Sequence, residues 1–279
     1  KNLREKIADE VSSIRDRITK SPGLAVILVG ENPASQVYVR NKAKQTKECG
    51  MESFEFILPE ATTQEQLLAK VDELNKNPDV HGILVQLPLA SHISEDAVIQ
   101  AISDEKDVDG FHINSRGRLV VGEDCLIPCT PQGCLMLIKD QLGDDISGLN
   151  AVVIGRSNIV GKPISQLLLN EGCTVSTCHS KTKDITGFTK KADILVVAAG
   201  KPGLVTENWV KSGTCVIDVG INRIESETGG KAKLVGDVAP EVEQVAGSLT
   251  PVPGGVGPMT IACLLNNTLK AFKKIENIT

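Results

Sequence analysis

The apolar stretch Leu149-Asn150-Ala151-Val152-Val153-Ile154 runs directly into Gly155-Arg156-Ser157-Asn158-Ile159-Val160-Gly161-Lys162-Pro163. An apolar helix is predicted to follow, from Ile164 to Leu169. A strand, a tight glycine turn and a helix together offer a pyrophosphate free backbone N–H groups and the positive end of a helix dipole. Ser157 replaces the middle glycine of G-x-G-x-x-G, and one residue is added. The stretch therefore indicates a nucleotide site, although an ordinary strand–helix turn also fits.

The next strand decides which dinucleotide the turn would bind. NAD enzymes usually carry an acidic residue about 20 residues on, which holds the ribose 2′-hydroxyl. Here the predicted strand Thr174–Cys178 is followed by His179-Ser180-Lys181, with no acid. Arg156, Ser180 and Lys181 would suit a 2′-phosphate. If the turn binds a dinucleotide, these residues predict NADP; three solvated polar side chains are the other interpretation.

Strands and helices alternate on both sides of this stretch. Apolar strands are predicted at 24–29, around Phe54 and Phe56, at 80–87, 151–154, 174–178, 193–198 and 215–218. Helices are predicted at 3–18 and about 35–49, from a Thr62–Glu65 capping box, from Ser94, from Thr130-Pro131, and from Met259 to about Ile275. A loop-rich stretch at 104–130 separates two halves. This alternation predicts an α/β protein with two α/β domains around a cleft.

The amino-acid composition argues against several classes of function. The 279 residues include 30 basic and 35 acidic side chains, for a net charge of −5, and only seven aromatic residues. Nucleic-acid binding is therefore not expected. No apolar run reaches the roughly 18–20 residues of a membrane span. Eight scattered cysteines without Cys-x-x-Cys predict reduced thiols, no metal site and a cytoplasmic location. The sequence begins without Met, so an organellar targeting segment stays open.

Three further features are candidates for a site. Tyr38 and Lys42 are four residues apart and share one helix face. Gln86 ends an apolar strand, where ligands of α/β proteins gather. Three glycines and three prolines occur between Pro251 and Pro258, so a ligand could approach the backbone closely. A solvated lysine, a polar strand end and a rigid linker are the corresponding structural interpretations.

Eight motifs in order along the chain resemble the bifunctional methylenetetrahydrofolate dehydrogenase/methenyltetrahydrofolate cyclohydrolases. The motifs are Val29–Ser35 with Tyr38–Lys42, Gly82–Pro88, Lys106–Gly110, Pro128–Pro131, Gly155–Pro163, Ile217–Asn222, Gly236–Val238 and Thr250–Thr260. The resemblance implies NADP-dependent oxidation of 5,10-methylenetetrahydrofolate and hydrolysis of the methenyl product to 10-formyltetrahydrofolate. These are reactions of one-carbon metabolism that serve purine biosynthesis. It also implies a homodimer through the nucleotide domain.

The resemblance divides the chain and assigns its residues. Residues 1–130, completed by a C-terminal helix at 259–279, would form the folate-binding and catalytic domain. Residues 131–258 would form a Rossmann-type NADP-binding domain. Lys42, Gln86 and Asp109 would be catalytic, with Lys42 as the proton-transferring amine and Asp109 as the pterin-binding carboxylate. Tyr38, Pro253, Gly254 and Gly255 would contact the folate, and Gly155, Arg156, Ser157, Ser180 and Ile221 would contact NADP.

Two departures from the family pattern accompany the resemblance. The family carries Asn-x-Gly-Arg after Asp-Gly, whereas Asn114 stands one place early here, so no role is transferred to it. The family's first strand is absent from this sequence. Neither departure affects Lys42, Gln86 or Asp109.

Four alternatives stay open at this point. A monofunctional dehydrogenase would have little use for Lys42, because hydride transfer needs no such amine. An NADP dehydrogenase for another small substrate would use Lys42 and Asp109 as its acid–base pair. A catalytically silent NADP-binding sensor would bind the dinucleotide without turnover. A purely structural protein would gain nothing from its glycine- and proline-rich loops.

Overall fold

The chain folds into two compact units. A computed structural model describes residues 2–224 and 233–278. Unit 1 comprises Lys1–Cys129 with Ile261–Thr279, and unit 2 comprises Thr130–Thr260. Both are α/β, as the alternation of strands and helices predicts.

Unit 1 is built around a short parallel sheet. Its elements in chain order are α1 (Asn2–Arg15), β1 (Gly23–Val29), α2 (Pro33–Glu48), β2 (Glu52–Leu58), α3 (Gln64–Lys76), β3 (Gly82–Val85), α4 (Glu95–Ala101) and α5 (Ile113–Val121). The strand order is β2-β1-β3, with both pairs parallel. Because β1 lies in the centre, it is apolar along its whole length, as buried parallel strands are.

Unit 2 is a doubly wound sheet. Its elements are α6 (Cys129–Leu142), which starts at the unit boundary, β4 (Asn150–Ile154), α7 (Gly161–Asn170), β5 (Thr174–Cys178), α8 (Ile185–Thr189), β6 (Ile194–Val197), β7 (Cys215–Asp218), β8 (Asn222–Ile224), β9 (Lys233–Val235), β10 (Ser248–Leu249) and the start of α9 (Val256–Ile275). The five parallel strands follow the order β10-β7-β6-β4-β5. Chain order reverses between β4 and β6, so ligands are expected outside the carboxyl ends of these strands.

Several predicted boundaries were wrong. The capping box of α3 uses Thr63 and Gln66, not Thr62 and Glu65. The stretch at 104–130 is not all loop, because it contains α5. Helix α6 begins at Cys129, one residue before the predicted cap, and α9 begins at Val256 rather than Met259.

All eight cysteines are buried, and none of them is joined to another by a disulfide bond. In the part of the chain that the structure describes, no three or more His, Cys, Asp or Glu side chains are grouped so that they could hold a metal ion. Within residues 2–224 and 233–278, no helix has both the length and the apolar character needed to cross a membrane.

Candidate active site

Lys42 and Gln86 form the first part of the candidate site, in unit 1. Lys42 projects from α2, and Gln86 follows the last residue of β3. The backbone N–H of Gln86 donates to the carbonyl of Ile27, which holds it at the carboxyl edge of β1. Its side-chain Nε2 donates to the carbonyl of Leu87 at 2.8 Å, and its Oε1 accepts from Lys42 Nζ at 3.0 Å. The amide is thus oriented on both sides, and it fixes the amine.

Asp109 completes this group. It follows a parallel bridge between Ile83 and Asp107, which brings it to the same sheet edge. Burial raises the pKa of Asp109, while the positive charge of Lys42 and a hydrogen bond from the Cys129 thiol lower it. The structure therefore brings a lysine, an amide and a carboxylate together at one edge of the sheet.

Tyr38 lies one helical turn before Lys42 on α2. Its side chain is 40% exposed, so part of the ring is accessible. Side chains four residues apart share a helix face, so Tyr38 and Lys42 lie on the same side of α2. This arrangement leaves an aromatic surface next to the amine, on which a flat ring can stack.

Asn267 and Cys129 support the segment around Asp109, and neither is among the site residues predicted from the sequence. The Nδ2 of buried Asn267 donates to the carbonyls of Val108 and Ile127, each at 2.8 Å. Cys129 Sγ lies 3.2 Å from the Val108 carbonyl oxygen. Burial raises the pKa of Cys129 well above its usual value, so the group stays a neutral thiol. Asn267 stands in the polar run Asn266-Asn267-Thr268, between the apolar stretch 261–265 and Leu269 of α9. This polar interruption of an apolar helix was the signal that could have revealed Asn267.

Asp107 and Asn114 have local roles. Asp107 Oδ2 accepts the backbone N–H of His112 at 2.7 Å, which ties the turn before α5. Burial raises the pKa of Asp107 to about 7. Asn114 is exposed and donates to Asp104, at 3.2 Å, while the neighbouring Ser115 is buried.

The predicted nucleotide turn lies at the carboxyl end of β4 in unit 2. Gly155 has φ of +125°, and a Cβ there would overlap the carbonyl oxygen of Ala198, so both the conformation and the space require glycine. Ser157 Oγ accepts the N–H groups of Val160 and Gly161, at 3.2 and 3.3 Å, and so orders the entry to α7. The glycine turn thus leads from the end of β4 into the N-terminus of α7, and a strand–turn–helix junction of this kind is where a pyrophosphate binds.

Arg156 and Ser180 follow neighbouring strands in register. Ile154 pairs with Cys178, and Gly155 donates its N–H to the Cys178 carbonyl at 2.9 Å. Arg156 and Ser180 each stand two residues beyond the paired positions and are exposed. A guanidinium and a hydroxyl at adjacent strand ends match the charge and donors that a 2′-phosphate needs. The residues present thus fit NADP.

The remaining predicted residues also lie in unit 2. Pro253 follows a cis peptide bond and is exposed, and Gly254 has φ of +112°. Gly255 donates its N–H to the Pro251 carbonyl at 2.9 Å, just before α9 begins. Ile221 is 46% exposed and stands between β7 and β8.

A model described as "Tetrahydrofolate dehydrogenase/cyclohydrolase, catalytic domain" matches residues 1–109, and its "NAD(P)-binding domain" counterpart matches residues 128–276. The chain belongs to this family. The family of the sequence resemblance is thereby confirmed.

Relatives within the family cover nearly the whole chain. A protein of Sinorhizobium medicae named bifunctional protein FolD 2 is 57% identical over 270 residues, which is 97% of this chain and 90% of that protein. The crystal structure of the bifunctional FolD enzyme from Campylobacter jejuni is 48% identical, with a TM-score of 0.92 over 98% of this chain and 95% of that one. The Trypanosoma brucei FolD enzyme, "complexed with NADP cofactor and inhibitor", is 40% identical, with a TM-score of 0.92 over 98% and 94%.

Proposed function

We propose that the group formed by Lys42, Gln86 and Asp109 carries the folate chemistry of this bifunctional enzyme. The enzyme oxidises 5,10-methylenetetrahydrofolate with NADP and hydrolyses 5,10-methenyltetrahydrofolate to 10-formyltetrahydrofolate. The observation that supports the residue roles is the 3.0 Å hydrogen bond between Lys42 Nζ and Gln86 Oε1, in a group that includes Asp109. Hydride transfer has no need of an amine there, whereas hydrolysis does.

Hydrolysis adds water to the methenyl carbon. Lys42 takes a proton from the attacking water as the new carbon–oxygen bond forms. The amine then returns that proton to the ring nitrogen as its carbon–nitrogen bond breaks. The proton of the new hydroxyl leaves as the formyl C=O forms, so hydrolysis of the cationic methenyl group releases one proton to solvent. Gln86 holds the amine in place through its Oε1, and its own amide is held by the Leu87 carbonyl.

Asp109 orients the pterin in this proposal. A carboxylate can accept two parallel hydrogen bonds from an amino group and an adjacent ring N–H. Tyr38 provides the stacking surface for the p-aminobenzoate ring. The loop residues Pro253, Gly254 and Gly255 contribute backbone at the folate and nicotinamide end.

NADP, when bound, supplies the hydride acceptor for the oxidation. We propose that Gly155, Ser157, Arg156, Ser180 and Ile221 hold it. Gly155 and the turn ordered by Ser157 would receive the pyrophosphate, and Arg156 with Ser180 would receive the 2′-phosphate. The predicted domain functions, folate binding by 1–130 with 259–279 and NADP binding by 131–258, belong to the same proposal.

A homodimer and a cytoplasmic location complete the proposal. Exposed apolar side chains on unit 2 support association through the nucleotide domain; Leu169 and Phe188 are 55% and 43% exposed. Analytical ultracentrifugation measures the mass of the protein in solution. The mass of a single chain at working concentration would contradict the proposed homodimer.

The roles are tested with one variant and its matched control. Lys42→Met should lower hydrolysis of methenyltetrahydrofolate by about 10²- to 10⁴-fold, because general acid–base catalysis contributes that much. NADP affinity should stay unchanged. Lys44→Met is the control, since Lys44 lies on the same helix and is exposed, with its Nζ 3.7 Å from Glu48.

The assay follows NADPH and the methenyl intermediate separately in one cuvette. Wild-type enzyme should form NADPH while methenyltetrahydrofolate stays low relative to a non-enzymatic control. Lys42→Met should let the intermediate accumulate. Accumulation in the wild type would indicate a monofunctional dehydrogenase, and undiminished hydrolysis in Lys42→Met would remove the mechanism.

A further inference from the structure

Asp237 is a fully buried carboxylate in unit 2 for which the proposed reaction assigns no role. Its Oδ2 accepts the backbone N–H groups of Ala199 and Gly200, at 2.7 and 2.8 Å. Its Oδ1 accepts the N–H of Lys201 and the Nδ2 of Asn222, each at 2.8 Å. Three consecutive amides and one side chain thus converge on a single carboxylate. A strand can end without such contacts, so these four hydrogen bonds do more than terminate β6.

The segment 199–201 follows β6 at the reversal point of the sheet. Chain order reverses between β4 and β6, and dinucleotides bind outside the carboxyl ends of strands at such a point. Ala198, which precedes the segment, touches the nucleotide turn, because its carbonyl oxygen occupies the space where Gly155 would carry a Cβ. The path of 199–201 therefore borders the crevice.

The order of the strands in the sheet indicates which part of the dinucleotide would lie near segment 199–201. Arg156 and Ser180 follow β4 and β5, so a 2′-phosphate held by them would place the adenosine on the β5 side. With the pyrophosphate at the β4 turn, the other half of the dinucleotide would extend toward β6 and β7. The nicotinamide end would then lie near segment 199–201 and the residues that follow β7.

A second carboxylate holds Asp237 itself. Asp218, the last residue of β7, accepts the backbone N–H groups of Asp237, Val238 and Gly220, each at 2.9 Å. Gly236 permits this approach, since a Cβ there would overlap Asp218 Oδ2. The backbone that carries Asp237 is consequently fixed to the sheet, so that its carboxylate has a defined position.

We propose that Asp237 is a positioning residue for hydride transfer. It fixes segment 199–201 and Asn222 at the edge of the crevice that receives the nicotinamide end of NADP, and it acts through them without touching the cofactor. The inference rests on the assignment of this crevice to NADP. Asp237→Asn replaces one acceptor oxygen with an N–H donor, which would repel the donors that now converge on it.

The test compares Asp237→Asn with Asp193→Asn. Asp193 also accepts a backbone N–H, that of Asn150 at 2.9 Å, but it lies at the opposite end of β6. Asp237→Asn should lower the kcat of the dehydrogenase about 10- to 100-fold, because a small misplacement of reacting groups costs that much. Hydrolysis of added methenyltetrahydrofolate should be unchanged. Asp193→Asn should leave both rates unchanged.

A second readout does not depend on activity. In the NADP-bound enzyme, hydrogen exchange at amides 199–201 should become faster in Asp237→Asn, while β6 and β7 stay protected. Calorimetry with NADP measures whether the cofactor still binds. Equal loss of both activities together with lost protection of β6 would show a merely structural role and overturn the inference, as would an unchanged dehydrogenase kcat.

Two outcomes are interpreted separately: a variant that does not fold, and a wild-type enzyme that does not use NADP. If Asp237→Asn does not fold, Asn222→Ala decides, because it removes one of the four bonds and leaves the three backbone bonds in place. A dehydrogenase kcat equal to that of the wild type in Asn222→Ala would then overturn the inference. Failure of the wild-type enzyme to bind NADP or form NADPH would instead contradict the proposed function.

Discussion

Arg156 is exposed directly after Gly155, the glycine that follows β4, and this position makes Arg156 a test of cofactor choice. Arg156→Ala should weaken NADP binding about 10- to 100-fold, since hydrogen bonds to charged groups contribute about 1.5–3 kcal/mol. NAD binding should be unaffected because NAD lacks the phosphate. Calorimetry with both dinucleotides measures the ratio. Lys162→Ala, which removes an exposed lysine bonded to Asn158 at 2.8 Å, is the control; an equal effect on NADP and NAD would contradict the assignment.

Single residues also show where prediction from the sequence ends. Gly155 could be predicted, because its strand, turn and helix are contiguous in the chain. The supports of Asp109 could not be predicted in the same way. Asn267 stands 159 residues from Val108, whose carbonyl it holds, and no local pattern relates the two. Folding brings such pairs together, so they are visible only in three dimensions.

Among the secondary-structure elements, the errors of prediction have local causes. Thr62 and Thr63 are each followed three residues later by an acid or an amide, Glu65 and Gln66, so the sequence offers two capping boxes for α3. The fold uses Thr63, while the Thr62 hydroxyl donates to the Pro59 carbonyl at 2.6 Å. Helix α5 carries Gly117 in its middle, and this weakened the helical pattern.

His81 is buried between β1 and α9 in unit 1, and its contacts there make the stability of unit 1 depend on pH. Its Nδ1 accepts the N–H of Gly23 at the start of β1, at 3.0 Å, so its Nε2 carries the proton and donates to Glu276 at 3.2 Å. Phe272 of α9 packs edge-on against the ring, with centroids 4.7 Å apart. The buried ring is therefore satisfied as a neutral group.

Protonation of His81 should destabilise unit 1. Burial lowers the pKa of His81 below 6.5, the hydrogen bond to Glu276 raises it in part, and the charges of Lys20 and Lys106 lower it. As pH falls below about 6.5, the unfolded chain takes up a proton that the folded chain refuses, so the free energy of unfolding must fall. Urea unfolding between about pH 7.5 and 5.5 measures this slope. His81→Gln should be less stable and should lose part of the slope; equal slopes in variant and wild type would contradict the argument.

In the whole molecule, the two folded units do not simply follow one another along the chain. Unit 2 is one continuous segment, whereas unit 1 needs Ile261–Thr279 from the far end of the chain. The α/β class and the family were predicted correctly from short motifs, because each motif is local. The core that closes unit 1 joins Ile7 and Val11 of α1 to Leu265 and Phe272 of α9, which the helical periodicity of either segment alone does not indicate.

Truncation of the chain after Thr260 should unfold unit 1 and leave unit 2 folded. The truncation removes Leu265, Leu269 and Phe272, which are at most 3% exposed. Large-to-small changes at such sites cost about 2–5 kcal/mol each, and three together are comparable with the total stability of a domain, about 5–15 kcal/mol. Unit 1 should therefore unfold and hydrolysis should be lost, while continuous unit 2 should still bind NADP in calorimetry. Lys274→Ala in the full chain, at an exposed position of the same helix, should retain both properties. Hydrolysis by the truncated chain would show that unit 1 does not need α9, and loss of NADP binding would show that unit 2 does not fold on its own.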